Sequence, residues 1–197
     1  LMNLAALNAL TVNVERMNEI SEGYEMTGRE ELTNRGCDIT FDHVSFAYET
    51  GEQVLSNVSF TAKQGEVTAL VGPSGCGKTT VSRLAARFWD PTGGRITVGG
   101  MNVKETDPEA LLSLYSIVFQ DVTLFDNTIM ENIRVGKKDA TDAEVMEAAK
   151  RANVLEFAEK LPDGMQTRIG ENGAELSGGE RQRISIARAF LKDAPII

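Results

Sequence analysis

Leu7, Leu10, Val14 and Met17 recur at three- and four-residue spacing, with Glu15, Arg16 and Asn18 on the other faces, and this predicts an amphipathic helix over Leu4 to Met17. Ser21 to Asn34 has no apolar period and several Gly and Glu residues, as a linker would. From Cys37 the pattern changes. Ile39, Phe41, Val44, Phe46 and Tyr48 alternate with polar or small residues, with one change of parity at Asp42-His43. Val58 and Phe60 resume the alternation after a turn at Thr50-Gly51-Glu52. Period two predicts strands, here an antiparallel pair. Glu66 to Val71 is instead a near-continuous apolar run, the pattern of a central strand covered on both faces.

A helix is expected from Lys78 to about Phe88, with Val81, Leu84, Ala85 and Phe88 on one face and Pro91 and Gly93-Gly94 to stop it. Ile96 to Val98 reads as a short strand turning at Gly99-Gly100, and Ser116 to Phe119 as another strand. The stretch after it is mainly helical. Val145, Ala148, Ala149 and Ala152 define one face, Pro162-Asp163-Gly164 a turn, and Ile184, Ala187, Arg188 and Leu191 the face of a last helix from about Gly179 to Leu191.

Composition narrows the function classes. With 197 residues and 42% apolar content the chain can build a buried core. A net charge of −9 without any Lys/Arg-dense stretch argues against a nucleic-acid partner and against docking on an acidic membrane surface. Two cysteines, Cys37 and Cys76, are too few for a disulfide framework and read as free thiols. No run approaches the ~20 apolar residues that cross a bilayer. The opening Leu1 and the apolar Ala194-Pro195-Ile196-Ile197 read as cut ends, the second as the start of a strand.

Two stretches carry chemistry. Gly72-Pro73-Ser74-Gly75-Cys76-Gly77-Lys78-Thr79, followed by Thr80, fits G-x-x-x-x-G-K-[ST], the P-loop, between an apolar run and a helix. Its glycines let backbone N–H groups turn inward around a phosphate, and the helix that follows offers its positive end to the anion. In this arrangement Lys78 reaches the β- and γ-phosphates of ATP, and the Thr79 hydroxyl ligates Mg²⁺. Leu176-Ser177-Gly178-Gly179-Glu180-Arg181-Gln182-Arg183 opens the last helix with a hydroxyl and two glycines. Two readings are open for it: Ser177 as an ordinary N-cap, or Ser177 with the Gly178 and Gly179 N–H groups offered to a phosphate from outside.

With both motifs present, the chain from Ile39 to Ile197 resembles the nucleotide-binding domains of ABC transporters, where Leu176 to Glu180 matches the LSGGQ signature with Glu180 in place of Gln. The resemblance implies an α/β fold of the P-loop NTPase class, with an antiparallel β subdomain, a P-loop core and a helical signature subdomain. Gln120 matches the Q-loop glutamine, which in the family touches Mg²⁺ and the attacking water; its bland alternative is a solvated strand end. Tyr48 matches the A-loop aromatic that stacks on adenine; its alternative is an ordinary sheet aromatic. Lys78, Gln120 and Ser177 are the implied catalytic residues, and Thr79 and Gln120 the implied metal ligands.

Gln120 to Val135, with Phe125-Asp126-Asn127-Thr128-Ile129 and Glu131-Asn132-Ile133, and Thr167 to Gly173 resemble the exporter branch. Residues 1–22 then resemble a stalk from a preceding transmembrane domain, 23–36 a linker and 37–197 the ATP-binding domain. The implied partners are a second such domain paired head to tail, identical or different, and a fused membrane domain, on the cytoplasmic face of the cell membrane. The family's Asp-Glu strand, D-loop and switch histidine have no match here, so the chain by itself should bind ATP better than it hydrolyses it. His43 reads as structural. Two rivals remain. One is a soluble mechanical ABC ATPase, disfavoured by roughly 100 residues between the motifs without a coiled-coil insertion. The other is a binding-only half of a heterodimeric exporter.

Overall fold

The alternation at the start of the domain produces a four-stranded antiparallel sheet. Strands β1 (Ile39–Ala47), β2 (Gln53–Ala62), β3 (Gly93–Val98) and β4 (Met101–Asn102) lie in the order β2-β1-β3-β4. These come from a computed structural model that describes residues 26–48 and 51–197, with Val12, Val14 and Met17. Those three are helical and exposed; the rest of the leading helix expected over Leu4 to Met17 lies outside the described residues.

Phe41 pairs with Phe60 across β1 and β2, their rings stacked 4.7 Å apart, and with Ile96 across β1 and β3. The parity change at Asp42-His43 is a bulge. Register shifts there on both sides, His43 takes φ 50°, and Val44 returns to the buried face. Gly94 is what lets β3 approach this bulge, since a Cβ on it would lie 2.3 Å from the His43 carbonyl oxygen.

Helix α1 (Lys78–Ala85) lays Val81, Leu84 and Ala85 against the sheet, in one apolar cluster with Phe41, Val44, Ile96 and Val98. Each fully buried side chain of this kind contributes roughly 1.5–3 kcal/mol. The helix stops where Arg87 enters the left-handed region, φ 55°. Arg87 is itself buried, donating to Asp90, to the Thr106 carbonyl and to the Thr27 carbonyl. Residues 27–36 are thereby laid along the domain, with Arg29 N–H bonded to the Glu105 carbonyl.

A second lobe is helical. After α2 (Pro108–Leu112), helices α3 (Ile129–Arg134), α4 (Asp142–Arg151), α5 (Leu155–Ala158) and α6 (Gly178–Lys192) enclose a separate cluster built on Ile129, Ile133, Val145, Ala149, Ile184, Ala187 and Leu191. Thr141 and Glu144 close a reciprocal capping box at the start of α4. No helix among the described residues is long and apolar enough to cross a membrane.

Two expected strands are not formed. Glu66 to Val71 forms no strand, and far from being covered on both faces it leaves Val67 100% and Val71 92% exposed. Ser116 to Phe119 likewise stays irregular, save that Tyr115 makes one parallel bridge to Ile196. The reason is pairing. A parallel strand needs a neighbour for its N–H and C=O groups, and among the described residues no backbone group bonds to residues 67–71. Between the two segments is a cleft of about 900 Å³, lined by Thr68, Leu70, Ile117, Phe119 and Ile197 among others.

Candidate functional site

The loop from Gly72 to Thr80 turns on two glycines in the left-handed region, Gly75 at φ 81° and Gly77 at φ 87°. Gly77 is the N-cap of α1 and gives it no side-chain cap, so the first N–H groups of that helix meet no side-chain acceptor. A helix left bare at its N-terminus beside a lysine is an anion site in waiting. The Lys78 ammonium is folded back over the loop, donating to the Gly72 carbonyl at 2.9 Å and the Pro73 carbonyl at 2.6 Å, 3.6 Å from Cys76 Sγ. These acceptors are neutral, so an incoming phosphate oxygen would form the stronger, charge-assisted bond.

Ser74, Cys76 and Thr79 are exposed, whereas Thr80 is buried with its hydroxyl 3.2 Å from the Tyr48 phenol. Tyr48 is thus pinned to α1, and its ring meets Phe46 and Trp89 edge-on at 4.9 and 5.3 Å. Lys78, Thr79 and Gln120 line the same 900 Å³ cleft. The structure therefore places those three on one cleft, which Tyr48 does not line. Among the described residues no cluster of three or more His, Cys, Asp or Glu could hold a metal. The hydroxyl of Thr79 and the amide oxygen of Gln120 are hard oxygen donors, and they fit a Mg²⁺ that takes its remaining ligands from phosphate and water.

The second motif sits on the other lobe. Ser177 caps α6, accepting from Glu180 N–H at 3.3 Å, while its own N–H and hydroxyl both donate to Glu180 Oε2 at 2.7 Å. Those bonds hold the Glu180 carboxyl below its ordinary range, the hydroxyl's contribution being the larger. The cap reading of Ser177 is therefore met by the geometry. Gly178 and Gly179, however, are exposed, and a Cβ on either would touch nothing within 4 Å. Glycine in a first helical turn costs up to about 1 kcal/mol against alanine. Among the described residues no neighbour crowds either glycine, so both backbone positions stay open to solvent. Ser177 and Gly179 border a depression of about 280 Å³ with Phe157, Lys160 and Arg183.

Three residues near this site have contacts that sequence reasoning does not assign to them. Asn132 is fully buried in a helix whose neighbours Ile129, Met130 and Ile133 are apolar, and Arg188 binds it from α6. A polar side chain inside an otherwise apolar helical face was the available signal. Trp89 also escaped, because it follows the helix at a position with no periodic meaning.

Comparison with known proteins gives one consistent result. The family model described as ABC transporter matches residues 55–197. The ATP-dependent lipid A-core flippase of Legionella pneumophila (strain Lens) is 49% identical over 160 residues, covering 81% of this chain and 27% of its own. The mitochondrial iron-sulfur clusters transporter ATM1 of Kluyveromyces lactis is 45% identical over 161 residues, covering 82% of this chain and 22% of its own. A solved structure of a bacterial Atm1-family ABC exporter with ATP bound superposes with a TM-score of 0.87 at 37% identity, over 94% of this chain and 33% of that one. The chain thus spans about a quarter of the length of these relatives.

Proposed function

The chain belongs to the ABC transporter family, and from that premise we propose that it is the ATP-binding part of an exporter that couples ATP binding and hydrolysis to movement of a substrate across a membrane. The observation that carries this reading is the uncapped N-terminus of α1 with the Lys78 ammonium held on neutral carbonyls beside it. Lys78 and the loop N–H groups would bind the phosphates, Thr79 and Gln120 would hold Mg²⁺, and Gln120 would orient the attacking water. When bound, Mg²⁺ neutralises charge on the transferring phosphoryl group. Ser177, Gly178 and Gly179 close on the nucleotide held by a second domain, paired head to tail, identical or different.

The remaining parts of the proposal follow from the resemblance. Residues 1–22 are a stalk from a membrane domain, 23–36 a linker, and 37–197 the nucleotide-binding domain on the cytoplasmic face. The cleft between residues 66–71 and 115–119 would take the family's Asp-Glu strand, whose Glu separates a hydrolysing domain from a binding-only one. The full-length parent, purified with its membrane domain, is expected to hydrolyse ATP in Mg²⁺ and to stop when the metal is chelated. ATP binding without hydrolysis would favour the binding-only half of a heterodimer, and no ATP binding would remove the proposal altogether.

Tyr48 tests the adenine end. Its ring is held by Thr80, Phe46 and Trp89, and stacking of a base on an aromatic is worth about 1–3 kcal/mol. Tyr48→Ala is therefore expected to weaken ATP about tenfold, with a smaller loss for inorganic triphosphate, in direct titrations of the parent. Undiminished affinity would make Tyr48 an ordinary sheet aromatic.

A further inference from the structure

Arg188 lies in the third turn of α6 and makes no ion pair with a carboxylate among the described residues. Its guanidinium is spent on neutral oxygens, with Nε donating to the Asn132 carbonyl at 2.6 Å, Nη1 to the Thr123 carbonyl at 2.7 Å and Nη2 to Asn132 Oδ1 at 2.9 Å. Burial lowers its pKa, so the site bears a desolvation cost that no counter-charge offsets. A charge kept at such a cost is kept for what its planar fork holds.

What it holds is the segment that leaves Gln120. Asn132, fully buried, extends the fork: its Oδ1 also accepts from Phe125 N–H at 2.8 Å, and its Nδ2 donates to the Phe125 carbonyl at 2.9 Å and the Thr128 carbonyl at 3.0 Å. From the other side, Asn172 Oδ1 accepts from Leu124 N–H at 3.0 Å. Residues 123, 124 and 125 are therefore tied through their backbone to two points that bracket the Ser177-Gly178-Gly179 turn in sequence, Asn172 before it and Arg188 after it.

We propose that Arg188 is a positioning residue that fixes the chain leaving Gln120 to the signature helix, so that the placement of Gln120 on its nucleotide depends on this tie. It does not touch that nucleotide. Its effect passes through Thr123 and Asn132. The inference rests on the reading of Gln120 and the signature given above, and the test separates the two.

The experiment measures ATP hydrolysis by the full-length parent for Arg188→Lys, Gln120→Ala and the double variant. Lysine keeps the charge and the stem but cannot hold three oxygens in one plane. Arg188→Lys should lower kcat about tenfold with KM within about twofold, and the double variant should be no worse than about twofold below Gln120→Ala alone, because the two changes break the same link. Additive losses, or an unchanged kcat in Arg188→Lys, overturn the proposal and leave Arg188 a packing residue. A Gln120→Ala protein with normal kcat instead overturns the reading of Gln120, and the proposal with it.

Asn172→Gly guards against a variant that fails to fold. It keeps the left-handed backbone at φ 52° and removes only the side-chain bond to Leu124. It should lower kcat about threefold and be likewise non-additive with Gln120→Ala. Additivity here overturns the proposal even if Arg188→Lys cannot be purified.

Discussion

Lys78→Ala is expected to lower ATP affinity of the parent protein at least about a hundredfold, because a charge-assisted bond to phosphate is worth about 1.5–3 kcal/mol and one ammonium here serves more than one oxygen. The substitution removes no buried packing. Lys78 lies at the loop surface, and the bonds lost in the free protein go to the Gly72 and Pro73 carbonyls, which water can replace. Stability should therefore change little while binding collapses, and calorimetric titration with MgATP against a thermal melt separates the two. The single tryptophan, Trp89, packs against Tyr48 and gives an independent optical signal of occupancy. An unaltered titration would mean that the loop from Gly72 to Thr80 is not the phosphate site.

Gly178→Asp is expected to have the opposite thermodynamic signature and an equally large functional loss. A side chain at 178 enters open space, and an acidic residue in a first helical turn favours the helix by about 0.3–1 kcal/mol through the macrodipole. The isolated fold should be as stable as before, or slightly more so. Yet the new carboxylate stands where the proposed second nucleotide's phosphate must approach, and two anions there repel. ATP binding at Lys78 should stay within about twofold, while ATP-driven pairing of two domains and kcat fall by about a hundredfold or more. Chromatography of the parent's ATP-binding regions with and without MgATP reads the first; steady-state hydrolysis reads the second. Persistent pairing would return Ser177 to a plain helix cap.

How far the sequence carried can be judged element by element. The antiparallel sheet, its bulge at Asp42-His43, α1 and α6 were all legible, because each buries its apolar face locally and so writes its period into adjacent residues. Glu66 to Val71 misled for the converse reason. An apolar run states that a segment is destined for burial between neighbours, but not that those neighbours are among the described residues. The phosphate loop was legible since its glycines and lysine are contiguous. The Arg188 and Asn132 network was not, because a bond between residues 56 apart leaves no trace in local spacing. Arg188 even sat on the counted apolar face of its helix, where its stem packs and its head finds the Thr123 and Asn132 carbonyls.

The unequal reach of the two kinds of pairing has a consequence for how the chain is made. The antiparallel sheet closes between residues 39 and 102, whereas the bonds around Ser116 wait for Ala189 and Ala194, the latter 78 residues further along. During synthesis the β lobe can therefore fold early, while residues 115–116 must wait for Ile196 to pair with them. A growing chain in that interval presents an adhesive surface to its neighbours. The residues around Ser116 are therefore expected to order last, after the β lobe.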